Sequence, residues 1–318
     1  MNLRFLLLLA LLAGLTFSCN DDGQDATATT KTETRTPDKT EAQTPTRNQP
    51  GTPGVRPVPA APQPVSSPSG FVPAGYELVW NDEFNQPGLP DSTRWGYQTG
   101  GHGWTAKEMQ NYTGKDPETA HVADGFLNIT ALAATDGRNP VKSARLVTND
   151  KADFETGYFE IRAKFPAGEG LRSAFWMVGD TVSAIGWPDA GEIDVVEHYG
   201  RVAGAIGAAV QMRQQFWSDK GGKGQLGKSI VVSDATSAYH VYACEWTEEQ
   251  LVFSVDGQPF WTYTPERITP RRWPFQWPFY LALNLSAGGN RSAAVGNVRK
   301  DIFPATMSVD YVRVYQKK

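Results

Sequence analysis

The run Leu251–Tyr263, LVFSVDGQPFWTY, decides the fold class of this chain. Two short stretches rich in Val and aromatic residues, LVFSV and QPFWTY, flank the dipeptide Asp256-Gly257. Asp-Gly between two such stretches is typical of a two-residue type I′ hairpin, because both central residues of that turn adopt positive φ. The run therefore predicts two antiparallel strands joined by a tight turn.

Similar runs recur along the chain, bounded by Gly, Pro, Asn and Asp, and helical periodicity is nearly absent. The clearest are Tyr76–Trp80, Phe126–Ala131, Gly157–Phe165, Ser173–Val178, Tyr239–Trp246, Phe279–Leu285 and Met307–Tyr315. Many short strands without alternating helices predict an all-β fold, an antiparallel β-sandwich.

The first 70 residues differ in composition from the rest. A single Arg followed by an apolar run too short to span a bilayer predicts a signal peptide over residues 1–18. The junction at Cys19 resembles the cleavage site of a bacterial lipoprotein, and the alternative is an ordinary secretory signal. Residues 19–70, rich in Thr, Pro and Ser, are predicted to form a disordered linker after a lipidated Cys19. We therefore expect a folded domain over residues 71–318, in a lipoprotein exported to the outer membrane or cell surface, or otherwise in a secreted protein.

Composition excludes several classes of function. The net charge is −4 and no basic stripe is present, so we expect no nucleic-acid partner. Cys244 is the only cysteine of the domain, which leaves no disulfide framework and no cysteine-based metal site. The sequence has no GxSxG elbow, no Gly-rich phosphate loop and no metal-binding His cluster. All ten Trp fall within the domain, which favours a surface that stacks on sugar rings.

The run Gly191–His198, GEIDVVEH, places three acids in an otherwise apolar strand. Strand side chains alternate, so Glu192 and Asp194 share one face, while Glu197 by the same count would point into the apolar face. A buried, unpaired carboxylate there would be costly. A β-bulge at residues 195–196 would return Glu197 to the face of the other two acids, and bulges are frequent beside active sites.

Two carboxyl groups on one face can cleave a glycosidic bond. A retaining glycosidase needs them about 5 to 5.5 Å apart, one as nucleophile and one as general acid/base. Glu192 and Glu197 would be four register positions apart after the bulge, so their side chains must lean toward each other over Asp194. Asp194 can then help to keep one Glu ionised and the other protonated. The alternative is a solvated strand face, which explains Glu197 poorly.

The run WPDAGEIDVVEH resembles the Glu-x-Asp-x-x-Glu signature of glycoside hydrolase family 16, laminarinase-like group. Further segments resemble the family in the family's order: YELVWNDEFN, GGHGWTAKEMQNYT, VADGFLNITA, ARLVTNDKADFETGYFEIRAKFP, SAFWMVG, YACEWTEEQLVFSVDG, PFYLALNLSAGGN and FPATMSVDYVRVYQ. The resemblance implies a concanavalin-A-like jelly roll of two antiparallel sheets with a concave cleft. It also implies a retaining endo-hydrolase of β-1,3-glucan, or mixed β-1,3/1,4-glucan, that needs no cofactor for catalysis.

Carried over to this chain, the resemblance implies Glu192 as nucleophile, Glu197 as general acid/base and Asp194 as the residue that tunes them. It implies that Trp176 and Trp187 stack on glucosyl rings. Core packing is the alternative for both tryptophans.

The resemblance implies hydrogen bonds from Asn111 and Arg145 to substrate hydroxyls, although Arg145 could instead be a surface charge. It also implies a structural calcium ion bound by Glu83, the backbone carbonyl of Gly125 and Asp310, and oxygen ligands from distant segments suit Ca²⁺.

Two substrate-binding positions depart from the family pattern. Arg172 stands where the family usually has Trp, and Gln211 stands where it commonly has His. A cation in place of an aromatic platform leaves open a marine galactan of the agarose, porphyran or carrageenan type. A non-catalytic carbohydrate-binding sandwich is a further alternative. The partners we expect are the polysaccharide and a membrane reached through the lipid anchor, for a protein that is otherwise monomeric.

Overall fold

The protein is described from a computed structural model, which covers residue 63 and residues 69–104, 107–135, 138–213, 226–289 and 296–318. The predicted signal peptide, Cys19 and most of the predicted linker lie outside the described residues. The described part includes two short helical segments, which are α1 (Val182–Ile185) and a 3₁₀ turn (Lys300–Ile302). Within these ranges no helix combines the length and apolar character needed to cross a membrane.

One layer of the fold is the acid-bearing sheet. With strands numbered in chain order, it contains β2 (Gly96–Tyr97), β3 (Gln110–Thr113), β6 (Val141–Val147), β8 (Leu171–Gly179), β9 (Glu192–Tyr199), β10 (Ala205–Gln211), β11 (Leu226–Val231) and β15 (Phe279–Ala287). The strand order is β11-β10-β9-β8-β15-β6, with β2 and β3 also paired to β6. The acids of β9 therefore lie inside the sheet, between β8 and β10.

The second layer is the opposite sheet. It contains β1 (Tyr76–Asp82), β4 (Ala120–Ala123), β5 (Phe126–Ala133), β7 (Gly157–Lys164), β12 (His240–Trp246), β13 (Leu251–Val255), β14 (Gln258–Tyr263) and β16 (Ala305–Lys317). Its order is β5-β16-β7-β12-β13-β14, with β4 on β5 and β1 on β16. Pairing of β5 with β6 connects the layers at one edge. The fold is the predicted jelly-roll sandwich, antiparallel except for the parallel pairing of β3 with β6.

The hydrophobic core lies between the two sheets. Phe175 and Met177 of β8 and Leu283 of β15 are fully buried in it. Each large apolar side chain contributes roughly 1.5 to 3 kcal/mol by leaving water. Because strand side chains alternate, Trp176 and Asn284 point away from the core, to the outer face of the acid-bearing sheet. We call this outer face the cleft face, and the outer face of the opposite sheet the back face.

The hairpin that indicated the fold class forms as predicted. Asp256 and Gly257, with φ of 48° and 74°, connect β13 to β14. Phe253 and Trp261 stack across the pair at 4.9 Å between ring centroids. Pro259 is tolerated because β14 ends the strand order, where its missing N–H breaks no ladder. All the other predicted runs are also strands.

The segment before β1 touches the back face. Gln63 exchanges hydrogen bonds with Asn81 of β1, and Ser69 donates a hydrogen bond to Glu160 of β7 at 2.8 Å. The predicted linker thus includes residues that contact folded strands, because the backbone of Gln63 and the side chain of Ser69 satisfy buried polar groups of the sheet.

Candidate active site

The predicted β-bulge in β9 is present against both neighbouring strands. Counting along β8, the partners of Glu192, Asp194 and Glu197 are Val178, Trp176 and Ala174. Counting along β10, their partners are Gln211, Ala209 and Gly207. The chain spacing of two and then three therefore becomes an even spacing of two in the sheet, which places all three acids on the cleft face.

The two valines of the bulge explain why β9 accommodates the extra residue. Val195 and Val196 are both buried in the core, at 2% and 0% exposure. One additional residue therefore faces the core, and the strand gains apolar burial where a regular strand would have forced a carboxylate inward. Glu197 and Asp194 are buried as well, on the cleft side, so their carboxylates need polar partners.

Two donors hold the carboxylate of Glu192. Trp187 Nε1 donates a hydrogen bond to Oε2 at 2.8 Å, and Gln211 Nε2 donates to Oε1. The same Gln211 amide donates to Asp194 Oδ2 at 3.1 Å. Because hydrogen bonds to a carboxylate favour its charged form, this arrangement suits an ionised Glu192.

Glu197 has a different set of partners. Arg172 Nη1 donates to Oε1 at 2.9 Å, and the Tyr199 hydroxyl donates to Oε2 at 2.5 Å. Arg172 Nη2 also lies 3.5 Å from Glu108 Oε1. Burial disfavours the charged guanidinium, but the carboxylates of Glu197 and Glu108 outweigh it and raise the pKa of Arg172. Arg172 is thus a largely buried cation in contact with two carboxylates.

Arg145 is surrounded by aromatic rings at the β6 side of the cleft face. Its guanidinium carbon lies 4.2, 4.8 and 5.2 Å from the ring centroids of Trp104, Tyr112 and Trp176. Trp176 Nε1 donates to Asn284 Oδ1 at 2.8 Å, which fixes the indole ring. Cation–π attraction of about 0.5 to 2 kcal/mol per ring holds these side chains together as one wall.

The family model of glycosyl hydrolases family 16 matches residues 106–313. The chain belongs to glycosyl hydrolases family 16. It is therefore a glycoside hydrolase, as the spacing of its acids and the ordered segments predicted.

Relatives in family 16 match over most of this chain. A β-glucanase from Rhodothermus marinus is 42% identical over 248 residues, 76% of this chain and 85% of that protein. The X-ray structure of the laminarinase from Rhodothermus marinus has a TM-score of 0.71 at 40% identity, covering 76% of this chain and 98% of the laminarinase. A keratan-sulfate endo-1,4-β-galactosidase from Sphingobacterium multivorum is 31% identical over 247 residues, 76% of this chain and 55% of that protein.

The structure brings most of the predicted site residues of this family 16 chain to the cleft face, and Asn111 lies in β3 beside that face. Its strand neighbours Gln110 and Tyr112 are buried and contact Glu108 and Arg145. Alternation along β3 directs Asn111 to the other side of the strand. The segment lies beside the cleft, and the hydrogen bond from Asn111 to a substrate hydroxyl stays a prediction.

Arg172 and Gln211 both make direct contacts with the acids. Both were expected to contact substrate. Gln211 is only 2% exposed and its amide is bonded to Glu192 and Asp194. The Arg172 charge is already matched by the carboxylate of Glu197. Both side chains therefore bond directly to the acids, and their contact with substrate stays a prediction.

Several side chains at the site were not predicted. Tyr199 could have been found from sequence, since it follows Glu197 by two residues in the same strand and so shares its face. Glu108, Trp104 and Tyr112 come from the segment that enters β3, far from β9 in sequence. No spacing rule links that segment to the acids, so only the folded chain identifies these three.

The side chains of the predicted calcium ligands do not fit a cation site as they are arranged. Both oxygens of Glu83 accept hydrogen bonds from Arg313, at 2.8 Å each, and Asp310 Oδ2 accepts one from Arg162. A guanidinium placed on the ligand oxygens competes with the positive ion they would hold. Within the described ranges, no group of three or more His, Cys, Asp and Glu side chains is arranged to bind a metal ion.

Proposed function

We propose that the protein is a retaining endo-hydrolase of β-1,3-glucan such as laminarin, or of mixed β-1,3/1,4-glucan. The observation that carries the proposal is the bulge in β9, through which Glu192, Asp194 and Glu197 share one face at even spacing. A retaining mechanism needs a carboxylate nucleophile and a carboxylic acid on one face of a cleft. Membership of family 16 supports hydrolysis as the reaction.

The first step forms a covalent intermediate. The carboxylate of Glu192 attacks the anomeric carbon while the protonated carboxyl of Glu197 donates its proton to the departing glycosidic oxygen. The glycosidic bond breaks, one sugar chain leaves with a free hydroxyl, and the other is held as a glycosyl ester of Glu192.

The second step restores the enzyme. Glu197, now a carboxylate, accepts a proton from water as the water oxygen attacks the anomeric carbon. The ester bond to Glu192 breaks, and the sugar leaves with the β-configuration it had in the substrate. Two inversions at one carbon thus give net retention.

The environment of each acid supports this division of roles. Glu192 accepts hydrogen bonds from Trp187 and Gln211, which favour its charged, nucleophilic form. Asp194 shares the Gln211 amide and lies between the two glutamates in the sheet register. Its negative charge disfavours a further charge on Glu197 and so favours the protonated acid that the first step requires.

The aromatic side chains of the cleft face support a sugar polymer as substrate. The Trp187 side chain is 37% exposed directly beside Glu192, and Trp176 is partly exposed next to Asp194. Flat indole rings suit the apolar faces of glucosyl units. The names of the Rhodothermus marinus relatives, a β-glucanase and a laminarinase, support the choice of a β-glucan.

A relative named keratan-sulfate endo-1,4-β-galactosidase favours a second candidate, a galactan hydrolase of the agarose, porphyran or carrageenan type. A sulfated chain would need a cation to meet its charge. Arg172, the residue that raised this alternative, is bonded to Glu197 and lies beside Glu108. Its charge is matched within the protein, so we rank the glucan first.

The test is release of reducing ends from laminarin, lichenan, agarose, porphyran and carrageenan by the purified protein. We expect release from laminarin, a loss on the order of 10⁴-fold or more in Glu192→Gln, and retained laminarin binding by that variant. The exposed Glu248→Gln is the matched control and should retain full activity.

Other outcomes of the panel would redirect the proposal. Release from a galactan alone would support the second candidate. Laminarin binding by the wild type without any release would support a non-catalytic binding module. Near-normal rates in Glu192→Gln would show that the wrong carboxylate was assigned as nucleophile.

We further propose that the chain is exported as a lipoprotein through Cys19, with a linker up to about residue 70 and a monomeric catalytic domain over residues 71–318. The support is the composition of the N-terminal residues. Cys19→Ala should move the protein from the membrane fraction to the soluble fraction, and an unchanged distribution would contradict the anchor. The structural calcium ion is a separate prediction of the family resemblance, which chelation tests.

A further inference from the structure

Arg172 is a cation built into the acid-bearing sheet. It lies on β8 opposite Tyr199, and its side chain is 15% exposed. Its Nη1 donates to Glu197 Oε1 at 2.9 Å. A positive charge at this distance favours the ionised carboxylate over the protonated one. Glu197, however, must be protonated when the glycosidic bond breaks, so this contact acts directly on the acid of the proposed reaction.

The other groups around Glu197 come from its own strand and from both neighbours. On β9 itself, Glu192, Asp194 and Tyr199 share the face of Glu197. The neighbouring strand β10 contributes Gly207 and the neutral Gln211. The other neighbour, β8, contributes Arg172, and Glu108 lies on the far side of that guanidinium. His198 is buried on the core side, stacked on Phe165, and burial lowers its pKa. Among the described contacts of Glu197, Arg172 is the cation, and the surrounding acids oppose its effect.

Glu108 shares the guanidinium with Glu197. Its Oε1 lies 3.5 Å from Arg172 Nη2, and its Oε2 accepts a hydrogen bond from Gln110 at 2.8 Å. The Gln110 side chain is itself held, because its Oε1 accepts the backbone N–H of Ala287. Glu108 is thus fixed in place by the β3 segment, and its negative charge offsets part of the positive charge that Glu197 experiences.

We propose that Arg172 is a positioning residue that sets how readily Glu197 is protonated, and that Glu108 moderates this effect by sharing the guanidinium. The inference rests on the proposed function, in which Glu197 is the general acid/base. Arg172 makes Glu197 lose its proton at lower pH, so the enzyme loses its acid earlier as the pH rises. In the second step the same ion pair stabilises the carboxylate that accepts the proton from water.

Substitution of the two partners should move the pH profile in opposite directions. We expect Arg172→Gln to move the basic limb of kcat/KM on laminarin to higher pH by about 1 to 3 units. Glu108→Gln should move the same limb to lower pH, since Arg172 then acts on Glu197 alone. The acidic limb, which reports ionisation of Glu192, should move less in both variants.

Three further variants test whether the shifts in the pH profile come from the charges or from a disturbance of the structure. Arg172→Lys keeps the charge and should keep the basic limb near that of the wild type. The double variant Arg172→Gln/Glu108→Gln removes a cation and an anion together, so it leaves less unpaired charge in the sheet. Its basic limb should still lie at higher pH than that of the wild type. Glu248→Gln, exposed and remote in sequence, should leave both limbs in place.

A second readout does not depend on turnover. Carbon-13 NMR of the full chain labelled at Glu carboxyl carbons can follow the titration of Glu197, assigned by the signal that Glu197→Gln lacks. We expect the titration midpoint to rise in Arg172→Gln and to fall in Glu108→Gln. A midpoint and basic limb that stay in place would overturn the role of Arg172, as would shifts of both variants in the same direction. Failure of the proposed function would instead appear as a wild type that releases no reducing ends, with the NMR shifts intact.

Discussion

In the described part of the chain, two largely buried arginines, Arg172 and Arg313, each lie between two glutamates, one on each outer face. On the cleft face, Arg172 makes single contacts, one N–H group to Glu197 and a longer approach to Glu108. On the back face, Arg313 donates two parallel hydrogen bonds of 2.8 Å to Glu83, one from Nε and one from Nη2.

The difference between these pairs is one of geometry. A bidentate arginine fork engages both carboxylate oxygens and fixes the pair as a unit. On the back face, Glu83 is further bonded by Asn81, while Ser69 and Tyr315 both donate to the buried Glu160. On the cleft face, Arg172 engages one oxygen of Glu197 and the neutral hydroxyl of Tyr199 engages the other, so the guanidinium does not hold both oxygens. The back-face cluster therefore stabilises the sandwich, whereas the cleft-face cluster tunes chemistry.

The largest difference between substitutions on the cleft face and on the back face should be in activity. Glu197→Gln removes the proton donor and acceptor of the proposed reaction, and we expect kcat to fall roughly 10² to 10⁴-fold. The free energy of unfolding, measured by urea denaturation, should change less than in the back-face variant below. A stability loss as large as in that variant would erase the distinction between the faces.

The next effect should be on stability. Arg313→Met leaves Glu83 buried without its cation, and we expect a loss of about 3 to 5 kcal/mol in the free energy of unfolding, with little change in kcat of the folded fraction. Arg162→Met is the matched control, because the Arg162–Asp310 pair is partly exposed and should contribute about 1 kcal/mol or less. Equal losses in both variants would contradict a special role for the buried fork.

A smaller effect should appear in the pH dependence of stability. Burial raises the pKa of Glu160 above its ordinary value, although Ser69 and Arg313 oppose the rise. A raised pKa gives stability below the unfolded value, near pH 4, that is lost as the pH rises through the folded value. Glu160→Gln should therefore gain stability relative to wild type between pH 4 and pH 7 in urea titrations, whereas a difference independent of pH would contradict this.

The smallest expected effect concerns metal removal. The side chains of Glu83 and Asp310 are paired with arginines, so we expect dialysis against EDTA to leave the Tm unchanged. A calcium ion present at 100 times its Kd would add about 2.7 kcal/mol of stability. A marked fall in Tm that calcium restores would show that the back-face pairs rearrange around an ion, as the family resemblance implied.

Much of the fold could be predicted from local sequence, and the longest of the strands that were missed share a physical cause. Runs dominated by β-branched and aromatic residues gave the predicted strands, and Asp256-Gly257 gave the turn. β6 (VKSARLV), β10 (AIGAAVQ) and β11 (LGKSIV) contain charges, Ala and Gly, so their own preference for strand is weak. They become strands because their neighbours in the sheet pair with them.

In the candidate site, too, local features could be predicted from sequence and long-range contacts could not. The bulge followed from alternation alone, because Glu197 had no acceptable place in a regular strand. The partners that act on the acids were harder to predict. Arg172 was noticed as a departure from the family pattern, but its contact with Glu197 depends on the pairing of β8 with β9. Glu108 reaches the site through the β3 segment, and such long-range contacts have no signature in a single sequence.

The most direct test of the central claim is the configuration of the first product. Proton NMR of a fresh laminarin digest, recorded before mutarotation, distinguishes α- from β-anomeric reducing ends. If Glu192 is the nucleophile and Glu197 the acid/base, β-anomeric ends appear first and α-anomeric ends grow in later. Initial α-anomeric ends would contradict the retaining mechanism and the roles assigned to the two glutamates.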